Sequence, residues 1–199
     1  MNGVQRYTKI AIILHWVIAL LIIFLLILGL WLGTLPEQSP LAASFDLFNL
    51  GLYTVTMPEP FYVNSFYFNL HKSLGVTVLV LIALRVLWRL THAAPPLPDS
   101  MQAWEKLFAH LGHIGLYILM IVIPVSGFIM SWYGKYGVAW FGVTLVEPLK
   151  NESVSHFFGE VHEYASWALI ALLVIHILAA IKHKLIDKDT VMQRMSLRG

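Results

Sequence analysis

Val161-His162-Glu163-Tyr164-Ala-Ser-Trp-Ala-Leu-Ile-Ala-Leu-Leu-Val-Ile-His176 is an apolar segment with a histidine near each end. Continued through Ile181, it gives a run over about 164–181 long enough to cross a bilayer, which takes roughly 20 residues. Fourteen steps of about 100° leave His162 and His176 within roughly 40° of one helix face, about 21 Å apart along the axis. One helix therefore offers two imidazoles to a single side, one near each surface of the membrane. An ionisable group embedded in hydrocarbon is expensive to keep, and its retention points to function.

Three more apolar runs lie upstream, over about 10–32, 68–90 and 108–132. The first is too long in its core for a cleaved signal peptide, carries His15 inside it, and lacks an Ala-x-Ala site, so it reads as a retained helix. Composition agrees: 58% of the 199 residues are hydrophobic and 12% are charged, against about 25% charged in a soluble domain. The expected fold is an all-α integral membrane four-helix bundle, a single domain over residues 1–199. There are no cysteines, which removes disulfides, thiolate metal sites, iron–sulfur clusters and covalent haem attachment. The net charge is +2 and the basic residues are dispersed, so nucleic acid is not an expected partner.

Basic residues set the orientation. With the N-terminus inside, Arg6, Lys9, Arg85, Arg89, Lys106, Lys182, Lys184, Lys188, Arg194 and Arg198 fall on the cytoplasmic side. Only Lys72, Lys135 and Lys150 fall outside, with the acids Glu37, Asp46, Glu59, Glu147, Glu152, Glu160 and Glu163. This positive-inside bias predicts that both termini are cytoplasmic. Two long external connections, about 33–67 and 133–163, either cap the bundle or lie on the membrane surface; Phe45-Asp-Leu-Phe-Asn-Leu50 and Phe61-Tyr-Val-Asn-Ser-Phe-Tyr67 suit the second role. The cytoplasmic connection holds Ala93-Ala-Pro-Pro-Leu-Pro98, a stiff break after the second helix.

Each histidine of the fourth helix finds a partner at its own depth. His71 opens the second helix, level with His162; His15 lies about two turns inside the first helix, level with His176. Neutral imidazole is the usual axial ligand of haem iron, and bundle cores build such sites from facing helices. Any one of these histidines could merely hydrogen-bond a neighbour. Four at paired depths, in helices otherwise nearly free of polar groups, imply two haems between His71 and His162 and between His15 and His176. A bis-histidine site leaves no open iron position and suits electron transfer.

Arg85 stands fourteen residues after His71 and faces the same interior at the depth of the inner pair. It either holds a haem propionate through a bidentate contact or snorkels to the cytoplasmic interface. His113, at the start of the third helix, and His183, two turns beyond His176, form a cytoplasmic cluster. Protonatable groups there are what quinone reduction needs, because protons are taken up with the electrons. His92, His110 and His156 read as interfacial polarity. Gly29, Gly75, Gly112, Gly115 and Gly127 permit close approach of a helix or cofactor, and Pro124 is expected to bend the third helix.

Arg6-Tyr7, Leu14-His15-Trp16, Leu70-His71-Lys72-Ser73-Leu74-Gly75, Leu84-Arg85-Val86-Leu87-Trp88-Arg89, Ala109-His110-Leu111-Gly112-His113, Val161-His162-Glu163 and Ile181-Lys182-His183 occur in order along nearly the whole chain. In these the chain resembles the bacterial cytochrome b561 family of small di-haem, quinone-linked membrane cytochromes. The resemblance implies two haem b groups with iron ligands at His15, His71, His162 and His176, in a multi-pass protein of the bacterial inner (plasma) membrane. Some members resemble superoxide oxidases, which pass electrons from external superoxide to ubiquinone inside. The longer first external loop of this chain departs from the shortest of those. The expected activity is thus electron transfer between an external donor and the quinone pool, as a superoxide:ubiquinone oxidoreductase or as a haem subunit linking a separate redox protein or dehydrogenase to quinone. A metal or proton transporter would use the histidines differently and would want intramembrane carboxylates or unwound helices.

Overall fold

The computed structural model describes residues 6–36, 39–98 and 100–197; Glu37 and Arg198, counted in the charge distribution above, lie outside them. Four helices are long and apolar enough to cross a membrane: α1 Lys9–Leu32, α2 Val63–Thr91, α3 Ala103–Tyr133 and α4 Glu152–Lys182. Each is longer than its apolar run because polar turns extend it. The Asn151 side chain accepts from the Val154 N–H and Glu152 occupies the first turn, so α4 starts about twelve residues before the hydrocarbon-like stretch. At α3 a capping box joins Gln102 and Glu105, satisfying backbone donors that an open helix end leaves orphaned. α3 continues through Pro124.

Ile18, Val78 and Ile82 form the main buried cluster, with Leu14, Leu25 and Met120 packed around it. This ties α1, α2 and α3 together, while α3 makes its most extensive packing with α4. Outward faces stay apolar: Leu20 is 66% exposed, Leu87 61% and Ile175 61%. On helices of this length such a surface belongs against lipid.

The expectation of an all-α chain is corrected by two small β-hairpins; the protein is mostly helical. Both long connections fold at the same end of the bundle. β1 Leu41–Asp46 pairs antiparallel with β2 Thr54–Tyr62, with a bulge between Ala42 and Ser44. β3 Val138–Trp140 pairs with β4 Val143–Val146, turning through Phe141 (φ 45°) and Gly142 (φ 88°), the left-handed pair that two-residue hairpins favour. Gly137 (φ 67°) is compulsory, since a Cβ there would stand 2.4 Å from the Val146 carbonyl oxygen. The first connection is a structured cap: Phe45 and Phe48 pack beside Leu28, Leu32 and Tyr67.

At the opposite, terminal end the chain closes on itself. The Tyr7 N–H donates to the Arg194 carbonyl at 3.2 Å, and Trp16 Nε1 donates to the Met195 carbonyl at 3.0 Å. Beyond α4 a π-helical turn spans His183–Asp187, and a short 3-10 turn spans Met192–Met195.

Candidate functional site

α4 presents its two histidines to partners on two different helices. At the hairpin end the rings of His71 (α2) and His162 (α4) have centroids 6.3 Å apart. Toward the terminal end those of His15 (α1) and His176 (α4) are 6.4 Å apart. An imidazole nitrogen binds a first-row metal at about 2 Å and lies about 1.2 Å from its own ring centroid, so two rings on opposite sides of one ion stand about 6.4 Å apart. Both pairs have that spacing. They fit one metal centre each.

The hairpin-end pair shows how its rings are fixed. His162 Nδ1 lies 2.8 Å from the Ile123 carbonyl oxygen, which can only accept, so Nδ1 carries the proton and Nε2 keeps its lone pair for a metal. Ser126 Oγ lies 3.5 Å from the same nitrogen. The ring sits where a side chain of residue 127 would be: a Cβ on Gly127 would meet its Cε1 and Nδ1 at 2.9 Å. Across the pair, a Cβ on Gly29 would meet His71 Cε1 at 3.2 Å. His71 Nδ1 is buried without a hydrogen-bond partner. A buried, partnerless nitrogen is costly, and here it marks a ring whose polar atoms are arranged for something besides neighbouring protein.

The second pair is a cluster of three. His113 lies with its ring centroid 5.8 Å from that of His176, so α1, α3 and α4 each contribute an imidazole. The sequence puts His113 at the edge of the bundle. Because α3 begins at Ala103 rather than near 108, His113 is instead about 15 Å inside the helix. Arg85 reaches the same layer: Nη1 donates to the Ala11 carbonyl at 3.1 Å, and the guanidinium lies 5.9 Å from the Tyr117 ring centroid. Ala11 precedes His15 by one turn and Tyr117 follows His113 by one turn. Tyr117 was missed from the sequence, where its signal was only that i,i+4 spacing. Trp16 packs edge-on to His15 at 5.2 Å.

α4 keeps its α-helical register from His176 to Lys182, and His183 opens the π-helical turn that follows. Its buried imidazole meets carboxylates that this turn brings back. Its Nδ1 lies 2.7 Å from Asp189 and 3.1 Å from Asp187. Lys182 bridges Asp187 at 2.6 Å and Glu105 at 2.7 Å, tying the end of α4 to the start of α3. Asp189 also borders an open cavity of about 600 Å³ lined by Trp16, Met192, Met195 and Leu197, with Lys184 and Lys188 at its polar side. His92 stacks on Trp88 at 3.8 Å, and His156 is exposed beside Glu160; both stand apart from the pairs.

Comparison with known proteins decides the family, because the pattern of prokaryotic cytochrome b561 matches residues 6–197. The chain belongs to the prokaryotic cytochrome b561 family. It is 32% identical to "Cytochrome b561 homolog 2" of Escherichia coli K12, over 98% of this chain and 93% of that protein. It is 30% identical to "Probable superoxide oxidase CybB" of Yersinia pestis, over 63% of this chain and 72% of the relative. "Cytochrome b562" of Cereibacter sphaeroides is 27% identical over 95% of this chain and 94% of its own length. Membership makes the protein a multi-pass bacterial membrane cytochrome of electron transport, and implies b-type haem.

Proposed function

We propose that this cytochrome carries electrons through the membrane between a donor at the hairpin end and quinone at the terminal end, using two bis-histidine sites, His71–His162 and His15–His176. The observation that carries the reading is the pair of ring spacings, 6.3 and 6.4 Å, repeated at two depths on one helix. Bound there, haem b supplies reversible one-electron carriage. His162 is held in the ligating tautomer by the Ile123 carbonyl, and Gly127 and Gly29 leave room for the rings. Arg85, anchored on Ala11, has further N–H donors to offer a propionate. Among the described residues nine of the twelve Lys and Arg fall toward the terminal end, which the positive-inside rule assigns to the cytoplasm. The hairpin end then faces outward.

Superoxide is the proposed donor, supported by the relative's name. Two superoxide ions oxidised to dioxygen release two electrons, and a quinone taking both also takes two protons. Lys72, Lys135 and Lys150 are the cations available to draw an anion to the hairpin end. At the other end His183 is the proposed proton carrier, because Asp189 takes its Nδ1–H and leaves Nε2 for a quinone carbonyl. The adjoining cavity of about 600 Å³ is within the usual range for a small-molecule site, roughly 300–1,000 Å³. His113, packed on His176, borders the inner pair rather than the cavity lining.

Two measurements test this. Pyridine haemochrome analysis of the purified protein should give two b-type haems per chain with a low-spin spectrum; one haem, or a high-spin spectrum, overturns the two-site reading. In the His183→Ala variant both haems should remain reducible by superoxide, while their re-oxidation by a water-soluble quinone slows about 10²-fold. Wild-type quinone kinetics with intact haems would remove His183 from the reaction.

A further inference from the structure

The β1–β2 hairpin does not stand off the end of the bundle. The ring of Phe48, at its tip, lies 6.0 Å from that of Trp31, 5.2 Å from Tyr67 and 6.2 Å from Phe24. Trp31 and Phe24 are seven residues apart on α1, about 10 Å along its axis. A ring touching both sits roughly 5 Å down the helix from Trp31. α1, at 24 residues, is about 36 Å long against a hydrocarbon layer of about 30 Å, leaving only about 3 Å over at each end. The tip of the hairpin is folded back along the flank of α1, which, with α1 centred in that layer, is the depth where headgroups give way to acyl chains.

What it presents there is apolar. Leu50 is 62% exposed, Leu52 82% and Tyr53 66%. α1, against which Phe48 packs, has an exposed apolar surface of its own, with Leu20 at 66% and Ile27 at 63%. Between Leu41 and Pro58 the only charged residue is Asp46, and its carboxylate accepts the Gly51 N–H at 2.6 Å. A face built to receive a soluble redox partner would carry complementary charge.

Irregular backbone survives near hydrocarbon only if its polar groups are satisfied internally. In this turn the N–H groups of Leu47, Phe48 and Gly51 have such partners. The Leu47 N–H donates to the Tyr53 carbonyl at 2.8 Å, and the Phe48 N–H donates to the Tyr67 hydroxyl at 2.8 Å. Phe48 holds φ 56°, Asn49 φ 56° and Gly51 φ 69°. Asn and Gly adopt this region readily, whereas Phe does so only when its surroundings impose it. The imposition on Phe48 is its packing against Tyr67, Trp31 and Phe24.

We propose that the Leu47–Tyr53 turn is a lipid anchor: its exposed Leu50, Leu52 and Tyr53 side chains lie in the interfacial layer of the membrane that α1 spans. The occupant of this face is phospholipid, with Tyr53 placed as interfacial aromatic residues are, ring in the apolar layer and hydroxyl toward the headgroups. The anchor clamps the α1–α2 edge one turn from His71, since Tyr67 is four residues before that histidine. It is independent of which donor or acceptor the cytochrome serves.

The chain has no cysteine, so Leu52→Cys and, separately, Glu59→Cys each give a single thiol for a nitroxide spin label. The haem-loaded full-length variants are reconstituted in phosphatidylcholine vesicles, and collisions of the label with oxygen and with a water-soluble nickel chelate are compared. At position 52 oxygen should dominate several-fold, as for a lipid-immersed label; at position 59, at the base of the hairpin, the chelate should dominate. A label at 52 as open to the chelate as the one at 59 would put the turn in water and overturn the proposal. A label at 52 shielded from both probes would mean that protein, such as a second copy of the chain, covers the face, and would overturn it equally.

Discussion

His176→Ala should empty the terminal-end site of its haem and leave the hairpin-end site filled, so that haem absorbance per chain falls by about half. The two α4 histidines are about 21 Å apart along the helix, and no side chain is shared between the pairs. His162→Ala and His71→Ala should therefore do the reverse. Loss of His15 is a subtler case because the terminal-end cluster holds a spare imidazole: the His113 ring stands 5.8 Å from that of His176. His15→Ala is expected to lose less haem than His176→Ala, and His15→Ala combined with His113→Ala to lose as much. Redox titration followed in the visible band assigns which centre is missing in each variant. If His15→Ala and His71→Ala abolished the same titrating component, the assignment of partners would be wrong.

The pairing was legible in the sequence because it depends only on the period of a helix and on depth, and α4 is unbroken between His162 and His176. Helix ends were not legible, because hydropathy ends where polar residues begin while the helix does not. Asn151 and Glu152 start α4 in a polar turn, and Val63-Asn-Ser starts α2 in another. That error propagated: placing α3 about five residues short moved His113 from beside His176 to the bundle edge. The partners of His183 were hidden for another reason. The chain leaves α4 through a π-helical turn that begins at His183, and nothing in Ile181-Lys-His-Lys-Leu marks it. The carboxylates that hold His183 come from Asp187 and Asp189, beyond the last apolar turn, where no periodicity applies. The β-hairpins were missed because their strands are short and do not alternate strictly. Phe48 and the Tyr67 hydroxyl meet only in the folded protein, nineteen residues apart in sequence.

Two glycines allow a sharper trial of the hairpin-end site than removing its histidines, since Gly127 acts on His162 and Gly29 on His71 without touching their chemistry. Five helical glycines were readable as close-approach positions, and the structure separates them. Gly75 and Gly112 have no neighbouring atom within 4 Å of a built Cβ, while at Gly115 the Leu172 Cδ2 methyl would be 3.0 Å away. Gly115→Ala should retain both haems, because a leucine methyl can turn aside. At Gly29 the nearest atom is His71 Cε1, at 3.2 Å; Gly29→Ala should keep the haem and displace that ring by a few tenths of an ångström, read as a shifted midpoint potential. At Gly127 the added carbon would lie 2.9 Å from two atoms of the His162 ring, closer than carbon and nitrogen can pack. The ring cannot retreat without breaking its 2.8 Å bond to the Ile123 carbonyl, which fixes both its tautomer and its aim. Gly127→Val should therefore lose most of the hairpin-end haem and leave the terminal-end component titrating as in the wild type, with Gly127→Ala in between. Both haems present at wild-type potentials in Gly127→Val would show that His162 is not seated against α3 when the protein carries its haem. The hairpin-end site would then have to be rebuilt around a different orientation of that ring.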